Sequence, residues 1–485
     1  MGRKSLITAL VLAITIAACT NDPPEALDSG AAAPTTAAPG TADTTATVDP
    51  STDQELDDDA SDAALPIVFS DPAEGLNDAE LADFIAGQAL FDTVWTPAGS
   101  GDPETDGLGP LFNAESCAAC HLSTGRRQVP PQGELVSPGL IIRISVGQDP
   151  ATGEAVPEPI YGDQLQDQSV DGLEPEASVF TNYVTQSDFY ADGTQYDILW
   201  PTVNIRNRNH GDITPGFRTS ARIGSQLIGM GLLELIPEEQ ILALADPNDA
   251  NGDGISGRPN GVWNPQTQQI ELGRFGWKSN VVGLDQQIAQ AFNDDLGLTS
   301  SLVPGLNCAP QQQVCFDASG DITDAGVEVS NEQLALLTHY MRTLGVPEPR
   351  TAESDEALRG QEHFRDFGCA SCHVESLTTG VSSIDALSEQ TIAPYTDMLL
   401  HDLGFDMSDS RPDFGASAVE WRTAPLWGLG LVPVDDDRGL LHDGRARDIE
   451  EAILWHGGEG RISRDNFINA ELAQREELLA FLESL

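Results

Sequence analysis

Lysine is almost absent from this 485-residue chain: Lys4 and Lys278 are its two lysines, so arginine supplies nearly all of the 24 basic residues. Against them stand 77 Asp and Glu, a formal net charge of -53. A surface this poor in cations repels phosphate backbones and anionic lipid headgroups, which excludes nucleic acid binding. The acid surplus suits a surface solvated in a saline medium, and it would equally steer a basic partner. A long hydrophobic run is missing at the N-terminus: the apolar stretch from Leu6 to Ile16 is too short to cross a bilayer. Cysteine is scarce too, at seven, yet four of the seven sit in two copies of one short motif.

The opening "MGRKSLITALVLAITIAAC" has Arg3 and Lys4, an apolar run and then small residues before Cys19. That order marks an export signal over residues 1–18. Its ending, Ile16-Ala17-Ala18-Cys19, resembles a bacterial lipobox. The resemblance implies a lipoprotein tethered through Cys19 to a membrane surface on the periplasmic side. Residues 19–66 are Thr, Ala, Pro, Asp and Ser with little to bury, the composition of a disordered linker.

Two later regions echo each other. "GQALFD" at 87–92 precedes the first cysteine pair and "GQEHFRDF" at 360–367 precedes the second. "ARIGSQLIGMGLLELI" follows the first pair and "WRTAPLWGLGLV" the second, both with Arg and then Leu-x-Gly-x-Gly-Leu. Helical periodicity covers Ala79–Phe91, Pro237–Ala245, Asn331–Leu344, Ile449–His456 and Leu472–Leu485, while strand-like alternation is confined to pieces such as "LIIRISV" at 140–146. With 46 Gly and 31 Pro, the remainder reads as loop. The expected fold is mainly α: two c-type cytochrome modules, 67–345 and 346–485, with long loop-rich insertions and a few short strands.

The motif is Cys-x-x-Cys-His, at Cys117, Cys120 and His121 and again at Cys369, Cys372 and His373. This is the attachment signature of c-type haem. One helical turn presents both thiols to the two vinyl groups on a porphyrin edge, and the adjacent histidine becomes the proximal iron ligand. A thioredoxin-like pair needs a βαβ setting, and structural zinc gathers its ligands in one small knuckle; neither context is present. Two covalently bound haems are therefore expected. Cys308 and Cys315, framing "CAPQQQVC" with no histidine nearby, suit a structural disulfide closing a short surface loop in an exported protein.

"DPNDANGDGISGRPN" at 246–260 offers oxygen ligands at Asp246, Asp249, Asn251 and Asp253, a glycine at the turn, and the Ile255 carbonyl. This is the first half of an EF-hand-type calcium loop, with Asn260 where the bidentate Glu would stand.

The segment "LLHDGRARDIEEAILWHGGE" at 440–459 places Asp448 as a helix cap, Glu450 and Glu451 in the first turn and His456 at the helix end. Together with "PYTDMLLHDLG", "EWRTAPLWGLGL", "DGLGPLFNAESCAACH", "GMGLLE", "NGDGISGRPN" and "GRFGWK", it resembles the bacterial di-haem oxidoreductases, peroxidase-like or thiol-oxidoreductase-like proteins. More distantly the chain is similar to di-haem cytochrome c peroxidases. That resemblance implies a sixth ligand for the second haem fourteen positions after His442, which is His456. His442 itself would lie beside the haem or its propionates. No matching histidine serves the first haem, so Met230 or His210 closes it, or the position stays open for a small oxidant such as H₂O₂.

Peroxide heterolysis needs a group that moves a proton. Glu234, Arg126 and Arg127 are the candidates beside the first haem, and Trp95, Trp200 and Trp277 the candidate bridges between haems. A small redox protein would supply electrons through the second haem. The alternative is a pure electron carrier with two six-coordinate haems.

Overall fold

The computed structural model describes residues 67–485 apart from 103, 127, 128, 130, 137, 320–325, 353 and 433–438. Residues 62–485 form one compact unit.

Helix α1 (Asp78–Asp92) starts where Asn77 Oδ1 accepts the backbone N–H of Ala79 and Glu80, while Glu80 returns a carboxylate to the Asn77 N–H at 2.9 Å. The remaining elements that frame the sites follow in order: α2 (Cys117–Cys120), β1 (Leu140–Ser145), β2 (Ser178–Phe189), β3 (Gln195–Arg206), β4 (Arg218–Ile223), α3 (Met230–Glu234), α4 (Leu284–Leu296), α5 (Asn331–Thr343), α6 (Asp355–Asp366), α7 (Ile449–Leu454), α8 (Arg461–Asn469) and α9 (Leu472–Ser484).

The two echoing phrases do the same packing job. A Cβ on Gly87 would run into the Leu336 carbonyl of α5, and one on Gly360 into the Glu477 carbonyl of α9. Each glycine thus lets a helix approach its partner backbone to backbone, α1 on α5 and α6 on α9. Phe84 and Phe91 close the first contact around Tyr340, with ring centroids at 4.8 and 5.5 Å. Phe364 does so in the second, 5.4 Å from Phe481.

The expectation of a mainly α chain is corrected. Helix accounts for 31% and strand for 21% of the described residues, the strands in many small sheets. The largest addition is the β2–β3 hairpin, paired over twelve positions from Ser178↔Arg206 to Phe189↔Gln195. Its turn holds Asp192-Gly193, with Gly193 at φ +87°. The hairpin lies on the C-terminal helices: Ala191 N–H donates to Ile468 O, Tyr190 Oη to Glu450, Arg475 to Asp192, and Leu199 N–H to Glu451. A three-stranded sheet sets β1 between β4 and Gln164–Leu165. Cys308 and Cys315 are bonded, with Cα atoms 5.7 Å apart. Both cysteines are buried against Leu111 while Pro310, Gln311, Gln313 and Val314 between them are exposed, so the bridge closes a short surface loop and anchors it to the interior.

Candidate haem sites

At the first motif, Ser116 Oγ accepts the Ala119 N–H and caps a single helical turn, α2. That turn aligns Cys117, Cys120 and, at its C-cap, His121, whose backbone N–H reaches Cys117 O at 3.0 Å. His121 Nδ1 lies 3.0 Å from Ser225 O. A carbonyl only accepts, so Nδ1 carries the proton and Nε2 keeps its lone pair for a metal. Burial lowers the histidine pKa and keeps the ring neutral. The ring and both cysteines face a cavity that Met230, Trp277, Asn280, Gln287, Arg222 and Asp294 also line.

At the second motif Cys369 opens a 3-10 turn, Cys369–Ser371, Cys372 caps its end, and His373 Nδ1 is 2.8 Å from Tyr395 O. On a separate element, Asp448 Oδ1 accepts the Glu451 N–H to start α7. Two residues beyond the end of α7, His456 turns its Nδ1 back onto Ala452 O at 2.8 Å. Both imidazoles therefore keep Nε2 free, and both line one cavity with Cys369 and Cys372. Burial, with His456 adding to it, pushes His373 down to about 4.

His442 lines the same cavity. It stacks on Trp421, with ring centroids 3.6 Å apart and planes 17° from parallel. Burial pushes it down to about 3, and its Nδ1 has no partner among the described residues.

The polar groups of this second cavity fit an anionic cofactor. Arg126 and Arg422 are buried in its wall. Arg126 donates to Gly439 O, and Arg422 to Gly276 O and Thr423 O. Among the described residues neither makes an ion-pair contact, and burial pushes both guanidinium groups down to about 10, against the opposing pull of Asp397 on Arg422. Two neighbouring buried cations facing an apolar slot call for carboxylates from a ligand, which haem propionates supply. Burial raises the Cys117 and Cys369 thiols to about 12, the reverse of what thiolate redox chemistry needs.

The other predicted residues fall as follows. Arg126, expected beside the first haem, lines the second cavity, with its guanidinium 5.5 Å from the Trp277 ring. Arg127 lies outside the described residues. Glu234 lines neither cavity: it pairs with Arg342 at 2.6 Å and accepts the Leu284 N–H at the start of α4. His210 is half-buried, 3.3 Å from Glu174 O, and lines neither cavity. Of the three tryptophans, Trp277 lines both cavities. Trp95 packs edge-on to Phe292, and Trp200 rests on Trp455 from the hairpin.

In the proposed calcium loop the oxygens serve the chain itself. Asp246 accepts from the Ala250 and Asn251 N–H groups, Asp249 from Gly254, and Asp253 from Ile255. Among the described residues no three His, Cys, Asp or Glu side chains converge to hold a metal ion.

Three groups escaped the sequence reading. His401 is clamped between Asp397 and Glu459, each at 2.8 Å, in the wall of the second cavity. Burial alone would lower its pKa, but the bonds to Asp397, Cys372 and Glu459 outweigh it and raise it to about 12. The Asp397/His401 spacing of four inside "PYTDMLLHDLG" was the available signal. Gln287 and Asp294 share the cavity-facing side of α4, whose i, i+4, i+7 rhythm carries polar residues among Leu284, Ile288 and Ala291. Burial lifts Asp294 to about 7 even with Arg143 at 2.7 Å.

No curated protein matches the chain. Among solved structures, Kuenenia stuttgartiensis hydrazine synthase aligns at 14% identity and TM-score 0.31 over 92% of this chain and 100% of that one. The diheme peroxidase BthA from Burkholderia thailandensis aligns at 14% identity and TM-score 0.28, over 84% and 86%. The family described as "Di-haem oxidoreductase, putative peroxidase" matches residues 59–485. With both haem motifs inside that span, the chain belongs to the di-haem oxidoreductase family.

Proposed function

We propose that the protein is an exported di-haem c-type cytochrome, anchored through Cys19, that reduces a peroxide-type oxidant at the first site with electrons received at the second. The modules 67–345 and 346–485 carry one haem each, bound through thioethers at the two cysteine pairs. Each haem supplies a one-electron iron centre, and reduction of one H₂O₂ to water takes two electrons and two protons.

One observation carries this reading: the two sites are chemically unequal. His373 and His456 both offer a free Nε2 to the second cavity, whereas His121 is the one histidine in the wall of the first. The second site suits electron transfer, and the first leaves room for a small molecule.

Around the first site, the Gln287 and Asn280 side-chain oxygens are buried without partners among the described residues. Either can accept a hydrogen bond from a hydroperoxide. Asp294, raised to about 7, can hold or release a proton there. Trp277 separates the two cavities by one indole and is fixed by its Nε1–H bond to Ile223 O at 2.8 Å. It is the favoured bridge. The acid-rich surface suits a basic donor protein.

Met230 favours one rival. It lines the first cavity, and its thioether on the iron would make both sites six-coordinate and the protein an electron carrier. Ferric EPR and H₂O₂ turnover with a reduced cytochrome donor decide between them. A high-spin component with turnover supports the proposal. Two low-spin haems that stay inert to peroxide, both before and after one-electron reduction, refute it. A Cys19→Ala protein should leave the membrane fraction.

A further inference from the structure

In a chain with two lysines, Lys278 is wholly buried. Its three N–H donors are all used, by Asp409 Oδ1 at 2.8 Å, Arg411 O at 2.8 Å and Ser417 O at 2.9 Å. The ammonium lies 4.4 Å from the centroid of Trp421, the ring stacked on His442 in the wall of the second cavity. Its immediate neighbour, Trp277, lines both cavities. Asp409 is shared, 3.9 Å away, with Arg222 in the wall of the first cavity. Asp413 pairs with Arg222 and Arg411. The cluster thus sets three cations, Arg222, Arg411 and Lys278, against two carboxylates, Asp409 and Asp413, an excess of one positive charge between the two sites.

Burying an ammonium is costly, and an apolar side chain of similar length would fill the same space without that cost. What an apolar group lacks is the charge. We infer that Lys278 is a positioning residue for redox chemistry: its buried charge, held one aromatic ring from the second cavity, raises the reduction potential of the iron there. A cation at this place disfavours the oxidised, more positive metal and favours the reduced one. Lys278 also acts on His442 in the cavity wall, where burial lowers the imidazole pKa, Asp443 opposes it, and Arg445 and then Lys278 add to the lowering. The inference needs a haem at the second site, which family membership supplies. It does not need peroxide as the oxidant, so the two can fail separately.

Spectroelectrochemical titration of the full-length holoprotein tests it. K278M should lower the second-site midpoint by at least a tenfold change in the one-electron equilibrium, which is 59 mV. K278R should stay near the native value. K278M/D409N removes one charge of each sign, keeps the cluster excess at one, and should also titrate near the native value. A purely structural lysine predicts otherwise: all three variants would share the same loss of thermal stability, with no ordering of potentials by cluster charge. If K278M proves too unstable to hold haem, the double variant still decides, because a tenfold shift there overturns the inference. An unchanged midpoint in a folded K278M overturns it as well.

Discussion

Gly224 offers a steric test of the first site. Its backbone is in ordinary φ territory, so alanine costs no dihedral strain, but a Cβ built there lies 2.8 Å from His121 Cε1, 3.1 Å from Nδ1 and 3.3 Å from Cys120 O. Carbon atoms pack at about 3.5 Å or more, so the imidazole must retreat by about 0.7 Å. The next residue, Ser225, supplies the carbonyl that orients the same ring at 3.0 Å. Retreat therefore loosens the bond that fixes the tautomer. Overpacking costs about 1–3 kcal/mol and the weakened hydrogen bond about 0.5–1.5 kcal/mol. If His121 is the axial ligand, loss of its orienting partner should lower turnover about 10–100-fold. Ferric spectra and redox titration of Gly224→Ala should change at the first site and stay native at the second. Gly147→Ala is the control, because a Cβ there meets nothing within 4 Å. Native spectra, stability and turnover in Gly224→Ala would show that His121 does not stand against Gly224 as a ligand.

Three further outcomes are expected. His456→Met should keep the second site six-coordinate and raise its potential, because thioether stabilises reduced iron better than imidazole does; an unchanged potential would remove His456 from the iron. Asp413 is buried, which alone would raise its pKa, yet Arg222 and Arg411 hold it far below the ordinary carboxylate range. Its contribution is present above the unfolded-state pKa and is lost as pH falls through the folded value. Asp413→Asn should therefore cost about 3–5 kcal/mol in urea unfolding at pH 7, and the gap to wild type should narrow in strong acid; a gap independent of pH would contradict the pairing. Replacing Cys308 and Cys315 by alanine opens a loop with a sequence separation of 7, worth about 2.5 kcal/mol of chain entropy, measurable as a lower urea midpoint.

What the sequence disclosed and what it hid divide along local and distant causes. The cysteine-histidine motifs, the Asp448 cap and helices such as Asn331–Thr343 are set by neighbours within one or two turns. The hairpin carried a local sign as well, in "ADGT" between runs rich in Val, Thr, Tyr and Phe. Its alternation was blurred because half of β2, from Val184 to Phe189, is exposed on both faces. Which tryptophan lies between the cavities had no local sign. Trp277 is placed by its Nε1–H bond to Ile223 O at the end of β4, and by its own carbonyl, which accepts the Arg422 N–H from a strand about 145 positions on. Arg126 was misplaced for the same reason: it follows the first motif in sequence, but its guanidinium crosses to Gly439 O beside the second.

The distribution of charge joins these findings. A net of -53 implies acid everywhere, yet five cations, Arg126, Arg222, Lys278, Arg411 and Arg422, are buried around the two cavities together with carboxylates such as Asp397, Asp413 and Asp443. Water solvates the outer carboxylates at little cost, whereas each buried guanidinium or ammonium must find a partner inside. Arg222, Arg411 and Lys278 share Asp409 and Asp413. Among the described residues Arg126 and Arg422 donate to backbone carbonyls, and Asp397 acts on Arg422 without an ion-pair contact, so the carboxylates of a haem would add direct partners for both. If haem propionates take these two guanidinium groups, loading the haem stabilises the folded state at this site, because a ligand that binds only the folded chain shifts the folding equilibrium towards it.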